Sequence, residues 1–433
     1  MKKNQDYQKW LRTVTKKMPH LSKPQAVVLG MWSFGIVMTG SCGLTTVAVF
    51  LAALLGKKEN TVRQQLREWY RNQQDKKGDK RAELDVTSCF APLLQWVLNG
   101  WPPQKKSMVL ALDASTLSCR FTLLVVSVVY GGCGIPVAWK VIEAKAKGSW
   151  QPYWLDLLSH LTNTIPQDWL VLVMADRGLY AKWLYEAIQQ QGWHPFLRIN
   201  QLRQFHPVGQ PSFVPLTTVV TQNGQSWSGR VTCFSSNPLS CTLLARWDSG
   251  YSDPWLIVTD LDPDQAEGLW YRMRSWIECL FKDTKRGGWQ WHQTKMTDPQ
   301  RAERHWLAIA IATRWVVSVG GESDADLSSN DSQQLPATPV ESQNSDTGTP
   351  KPRILSCFRR GKLADSCCCT QSSSVTYRSI FSRFFSKYSF SLLSLNLKNL
   401  PLKAYYGGEF SCLYFRTIIR AVGHGFNLLF DSS

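Results

Sequence analysis

SMVLALDA (107–114), RFTLLVVSVVY (120–130) and PVAWKVI (136–142) follow one another closely, with Gly131, Gly132 and Gly134 between the last two. Val, Leu and aromatic residues dominate all three, and the glycines supply turns, so the pattern predicts three strands in a meander. WLVLVMA (169–175) reads as a fully apolar strand and 195–199 as another, with helical stretches over 150–161 and 182–191. Strands alternating with helices place the chain in the α/β class. From about 201 to 252 short strands rich in Gly, Pro and Ser suggest an inserted β-rich module. The α/β pattern resumes with a strand at 254–260 and a long helix.

Composition bounds what surrounds this core. At about 150 residues per domain, 433 residues suggest two or three domains. Lys and Arg number 49 against 32 Asp and Glu, a net +17 that points to polyanions, either nucleic acid or an anionic membrane. The charge is concentrated at the front: Met1–Lys106 holds 18 Lys or Arg against 7 Asp or Glu, which is +11 of the total. There, 44–55 reads as an apolar helix, Gly56 as its stop, and Asn60 or Thr61 as the cap of a second helix running to about Arg71. Val62, Leu66 and Trp69 fall on one side of it, and Arg63, Arg67 and Arg71 recur every four residues on another. Such a stripe is either a DNA-contacting face or a solvated one.

Pro24 to Gly56 carries no charge and exceeds the roughly 18 apolar residues that span a bilayer. Gly30, Gly35, Gly40 and Gly43, with several Ser and Thr, break it into two pieces, so buried helices and no membrane are expected. The 12 cysteines include no pair at zinc-knuckle spacing, and the basic start lacks the apolar core of a signal peptide. A reducing cytoplasm is the expected compartment.

Asp113 ends the first strand in ALDAS, and Asp176 ends the later one in MADRGLY. Strand ends present side chains to a cleft, where two carboxylates can share a divalent cation. Asp262 and Pro263 signal a helix start, and AEGLWYRMRSWIECLFKDTK (266–285) follows. At about 100° per residue, Tyr271, Arg274, Glu278 and Lys285 share one narrow stripe beside an apolar face of Leu269, Met273, Trp276, Ile277 and Leu280. An isolated Arg274–Glu278 pair stabilises a helix by only about 0.2–0.5 kcal/mol. It does not account for the whole stripe, which combines a hard oxygen donor with cations suited to phosphates.

These motifs resemble the bacterial insertion-sequence DDE transposases of the Tyr-Arg-Glu-Lys signature subgroup, with complete agreement in the spacing of the four signature residues. RGGWQWHQTKMTDPQRAERHWLAIAIA (286–312) resembles the family too, and the likeness covers roughly residues 1–360. The resemblance implies a ribonuclease H-like catalytic core over 107–319, preceded by an all-α N-terminal DNA-binding domain over 1–106. It implies that Asp113, Asp176 and Glu278 bind two Mg²⁺ or Mn²⁺ ions, and that Tyr271, Arg274 and Lys285 hold phosphates near the cleaved end. Arg63, Arg67 and Arg71 would contact DNA. The implied partners are transposon ends and target duplex, with a homodimer assembled on DNA in a bacterial nucleoid, and the implied reaction is cut-and-paste transposition. Two other readings keep the same core: a nuclease without strand transfer, and a DNA-binding protein derived from a transposase.

The pattern changes after Gly320. Residues 320–352 are read as an acidic, flexible linker, since 320–350 contains no Lys or Arg and six carboxylates. LSCFRRGK (355–362) resembles the family's closing motif. From Ala364 the chain is rich in Ser, Cys, Phe and Tyr without helical or strand rhythm, and the 353–433 tail is read as translated from a shifted frame.

Overall fold

The computed structural model describes residues 5–76, 82–101, 105–210, 212–325 and 356–366. Five helices come first: α1 (Gln5–Lys17), α2 (Lys23–Thr39), α3 (Leu44–Leu55), α4 (Glu59–Tyr70) and α5 (Phe90–Leu98). Ser22 and Gln25 form a reciprocal capping box at the start of α2, and Gly56 ends α3 at φ 64°. Lys58, not Asn60 or Thr61, is the cap residue of α4, and its side chain makes no cap bond. Asn60 and Thr61 are carried instead in the first helical turn, directly after the two-residue link from Gly56.

The expected meander is β1 (Ser107–Leu117), β2 (Phe121–Tyr130) and β3 (Cys133–Glu143). After it come α6 (Gln151–Ser159), β4 (Leu170–Ala175), α7 (Lys182–Gln190) and β5 (His194–Arg198). The glycine-rich stretch contributes β6 (Gln204–Pro207), β7 (Val214–Pro215), β8 (Ser226–Cys233) and β9 (Leu239–Arg246), followed by β10 (Trp255–Thr259). All ten strands form one sheet, in the order β3-β2-β1-β4-β5-β10-β9-β8-β6-β7. The inserted strands therefore extend the central sheet, joined to it because β10 pairs antiparallel with both β5 and β9. Three more helices complete the described chain: α8 (Trp276–Thr284), α9 (Pro299–Ala325) and α10 (Cys357–Ser366).

The core centres on α9, where Trp306 through Ala312 are buried on every side. Its Glu303 carboxylate accepts from the Val141 N–H at 3.0 Å and pairs with Lys140 at 3.2 Å, fixing the helix to β3. On its other side Trp315 stacks on Trp10 of α1 at 4.1 Å, and Arg304 donates to Tyr70 O and Asn72 Oδ1. The front helices thus share a core with the helix that backs the sheet. Among the described residues no single helix is long and apolar enough to cross a membrane. The α2–α3 pair, bent by 99°, reaches that length only jointly.

One sequence expectation changes here. The acidic linker does not begin at Gly320, because α9 continues to Ala325; residues 326–352 lie outside the described residues. The closing motif forms α10 against α9, and the expected frame-shifted tail beyond Ser366 also lies outside them.

Candidate active site

Parallel pairing of β1 with β4 ends at Leu112–Ala175. Asp113 and Asp176 are therefore the next residues along two neighbouring strands, which brings them to one sheet edge. Each turns back on its own backbone: Asp113 Oδ1 accepts from the Ala114 N–H at 2.8 Å and Asp176 Oδ1 from the Arg177 N–H at 2.7 Å. Their Oδ2 atoms remain for other partners.

The third carboxylate arrives differently from the sequence expectation. The 266–285 segment is not one α-helix: 262–267 is turn, Gly268–Ser275 winds as a 3-10 helix, α8 begins at Trp276, and Lys285 lies beyond its end. In a 3-10 helix residues three apart eclipse one another, so Tyr271 and Arg274 point the same way, toward the sheet edge. Tyr271 is buried, and its hydroxyl donates to Ala175 O at 3.2 Å, immediately before Asp176. It reaches the protein interior, not a solvent-facing stripe. Salt bridges from Arg246 and Arg272 to Asp248, at 2.7 and 2.8 Å, hold this segment to the loop after β9.

Arg274 is the common partner of the three carboxylates. Its Nη2 donates to Asp113 Oδ2 at 2.8 Å and lies 3.7 Å from Asp176 Oδ2, while Nη1 donates to Glu278 Oε1 at 2.7 Å. Burial raises the Asp113 pKa, against the pull of Arg274 and the Ala114 N–H. Burial alone would lower the Arg274 pKa, but Asp113 foremost, with Tyr271, Asp176 and Glu278, raises it above its ordinary value. Lys285 Nζ donates to Ser115 Oγ at 2.7 Å and Thr116 O at 3.0 Å, just past Asp113 on β1, and burial lowers its pKa. All four spaced residues therefore converge where β1 runs on past the end of β4; because β1 continues to Leu117, Asp113 lies within its strand and not at the expected strand end, and only Asp176 follows one.

As they stand, no three His, Cys, Asp or Glu among the described residues are gathered closely enough to hold a metal ion. The donors themselves are hard carboxylate oxygens already grouped about a positive charge, the chemistry that Mg²⁺ or Mn²⁺ requires. Of the three, Glu278 is the most open, its side chain half exposed, and Asp113 the most enclosed.

Arg63, Arg67 and Arg71 are not part of this cluster. They line a separate cleft with Thr45, Thr46, Lys295 and Arg301. Sequence reasoning missed Lys295, in the loop before α9, and Arg301, in the first turn of α9; their only local signal is basic charge within 286–304.

Residues 104–315 match the family model described as "Transposase DDE domain". The match includes Asp113, Asp176, Tyr271, Arg274, Glu278 and Lys285. No curated protein matches the chain. Among solved structures it resembles "Cryo-EM structure of piggyBac transposase synaptic complex with hairpin DNA (SNHP)", at 10% identity over 93% of this chain and 84% of that one. The TM-score is 0.38.

Proposed function

We propose that the chain is a DDE transposase of the Tyr-Arg-Glu-Lys subgroup, which cleaves DNA at transposon ends and joins the freed 3′ end to target DNA. The observation that carries this reading is the convergence of Asp113, Asp176 and Glu278 on one guanidinium, inside the segment that matches the transposase DDE domain. The strand order β3-β2-β1-β4-β5, an antiparallel meander continued by two parallel strands, supports a ribonuclease H-like core.

Asp113, Asp176 and Glu278 would hold two Mg²⁺ or Mn²⁺ ions. Such ions, when bound, lower the pKa of a water or a 3′-hydroxyl and neutralise charge at the leaving oxygen. The protein's own contribution is positional. Tyr271 fixes the backbone at Ala175, which sets the direction of Asp176. Arg274 offers a planar fork for two phosphate oxygens and Lys285 a point charge beside Ser115. A phosphodiester entering between them would draw Arg274 off the carboxylates, since a doubly bonded phosphate replaces its contacts to Asp113 and Glu278. No covalent protein nucleophile is needed. Duplex DNA is the proposed partner, bound as ends and as target by a homodimer in the bacterial nucleoid.

Asp113→Asn removes a carboxylate but no phosphate contact. It should abolish nicking of end-containing duplex with Mg²⁺ while duplex affinity stays within about twofold, since each tenfold change requires about 1.4 kcal/mol. Full nicking activity in this variant would sink the assignment. Transfer of a labelled 3′ end into a second duplex by the wild-type protein separates strand transfer from simple hydrolysis.

A further inference from the structure

Asp253, in the bend before β10, is a carboxylate that the proposed reaction leaves unused. Its Oδ2 accepts from Arg198 Nη2 at 2.8 Å and from Arg177 Nη1 at 3.1 Å, and its Oδ1 accepts from Ser252 Oγ at 2.9 Å. Neither arginine has another carboxylate partner among the described residues.

Both arginines flank Asp176. Arg177 follows it in the chain. Parallel pairing of β4 with β5 ends at Ala175–Leu197, so Arg198 is level with Asp176 on the neighbouring strand, about 4.8 Å away at ordinary strand spacing. Burial raises the Tyr271 pKa, and Arg198 is among the cations that oppose the rise, so its charge is felt at the hydroxyl bound to Ala175 O. Arg198 is also the more enclosed of the two, 16% exposed against 52% for Arg177, and has the greater need of a partner.

A carboxylate oxygen that accepts from a guanidinium offers the same lone pairs that a divalent ion needs. With Asp253 in place, the side-chain cation paired with Asp176 is Arg274, at 3.7 Å, and the Arg177 side chain is turned to Asp253 although its backbone N–H binds Asp176 Oδ1. Without the Asp253 charge, two arginines would stand beside Asp176 with no other carboxylate partner. We propose that Asp253 is a positioning residue that holds Arg177 and Arg198 off Asp176 and so keeps that carboxylate open to a divalent ion. The inference rests on the metal-binding reading above and adds to it a residue outside the carboxylate triad.

The test reads Mn²⁺ binding to the full chain without DNA, by calorimetry or by the electron spin resonance of the free ion, at about 0.15 M salt so that distant charges are screened. Asp253→Asn keeps the side chain's shape and removes its charge at a partly exposed position. It should weaken Mn²⁺ affinity about three- to tenfold, the effect of two partly exposed ion pairs redirected to Asp176. Asp253→Glu, which keeps the charge, should retain most of the affinity. Arg177→Gln combined with Arg198→Gln should change affinity by less than about twofold while Asp253 is present, and should restore it in the Asp253→Asn background. Such non-additivity marks a residue that acts through the two arginines. Unchanged affinity in Asp253→Asn overturns the inference. So does an equal effect of the arginine substitutions with and without Asp253, which makes Asp253 one more charge in the general field. A loss that the arginine substitutions do not restore, together with a lower melting temperature, also overturns it and makes Asp253 a support of the fold. Asp113→Asn separates the two readings. If it binds Mn²⁺ as the wild type does, the metal-binding reading fails and this inference with it; if it loses the ion while the Asp253 effects are additive, only this inference fails.

Discussion

Asp283 sits near the end of α8, five residues after Glu278, and is 3% exposed. Burial pushes its carboxyl up to about 7, against the pull of Arg359, Lys362 and Lys282. Between an ordinary carboxylate pKa of about 4 and this value, the folded chain holds more protons than the unfolded one. Stability therefore falls as pH rises through that window and levels off above about 7. Asp283→Asn cannot ionise, so its melting temperature should exceed the wild type's at about pH 8 and approach it at about pH 5. Thermal unfolding at both pH values checks this, and an equal difference at each would contradict it. Nothing in the sequence distinguishes Asp283 from any polar residue near a helix end. It is enclosed by contacts from elsewhere: Trp289 N–H donates to its carbonyl at 2.9 Å, and Arg359, from α10, approaches its carboxylate at 3.5 Å. Asp113 and Asp176 are legible because a carboxylate that closes an apolar run is a local signal, even where, as at Asp113, the strand itself runs on, whereas the enclosure of Asp283 depends on a helix more than seventy residues away.

At the scale of elements, α10 meets α9 through glycines. A Cβ on Gly361 would lie 2.0 Å from Val316 O, and one on Gly320 would lie 1.8 Å from Cys357 O. Both obstacles are backbone atoms, which cannot rotate aside. Gly361→Ala should therefore force the helices apart and destabilise the protein by about 1–3 kcal/mol, read from denaturant unfolding. Gly178→Ala meets nothing within 4 Å and should fall within about 0.5 kcal/mol of wild type. A wild-type midpoint for Gly361→Ala would show that α10 does not pack as described. The same contact explains why the sequence misplaces the end of α9. Gly320 and Gly321 look like a break before an acidic linker, but Gly320 is small because another helix crosses there. The meander and the β4 and β5 strands lie within a few residues of their expected bounds, since apolar runs between turn glycines are strong local signals. The helix expected over 266–285 was misread for the opposite reason. Its polar residues do converge, but from a 3-10 segment joined to α8, in which Tyr271 is drawn to Ala175 and Arg272 to Asp248.

For the whole molecule, charge and chemistry lie in different places. The front section supplies +11 of the net +17, while the candidate site depends on three carboxylates that a net charge hides. If the arginine row is a DNA-contacting face, removing it should change affinity without changing the chemistry of DNA already bound. Arg63 and Arg67 suit this test because neither has a carboxylate partner among the described residues, whereas Arg71 is paired with Glu68. Arg63→Ala combined with Arg67→Ala should weaken duplex binding about equally for all sequences and lower the salt slope by about two. At low salt and saturating protein, nicking by the double variant should approach the wild-type rate, because Asp113, Asp176 and Glu278 are untouched. Asp113→Asn should give the converse, normal binding and no nicking. An unchanged salt slope in the double variant would make the row a solvated face. Loss of nicking at full occupancy would mean instead that the front helices set the geometry at the carboxylates, a coupling that the shared packing of α1, α4 and α9 makes physically available.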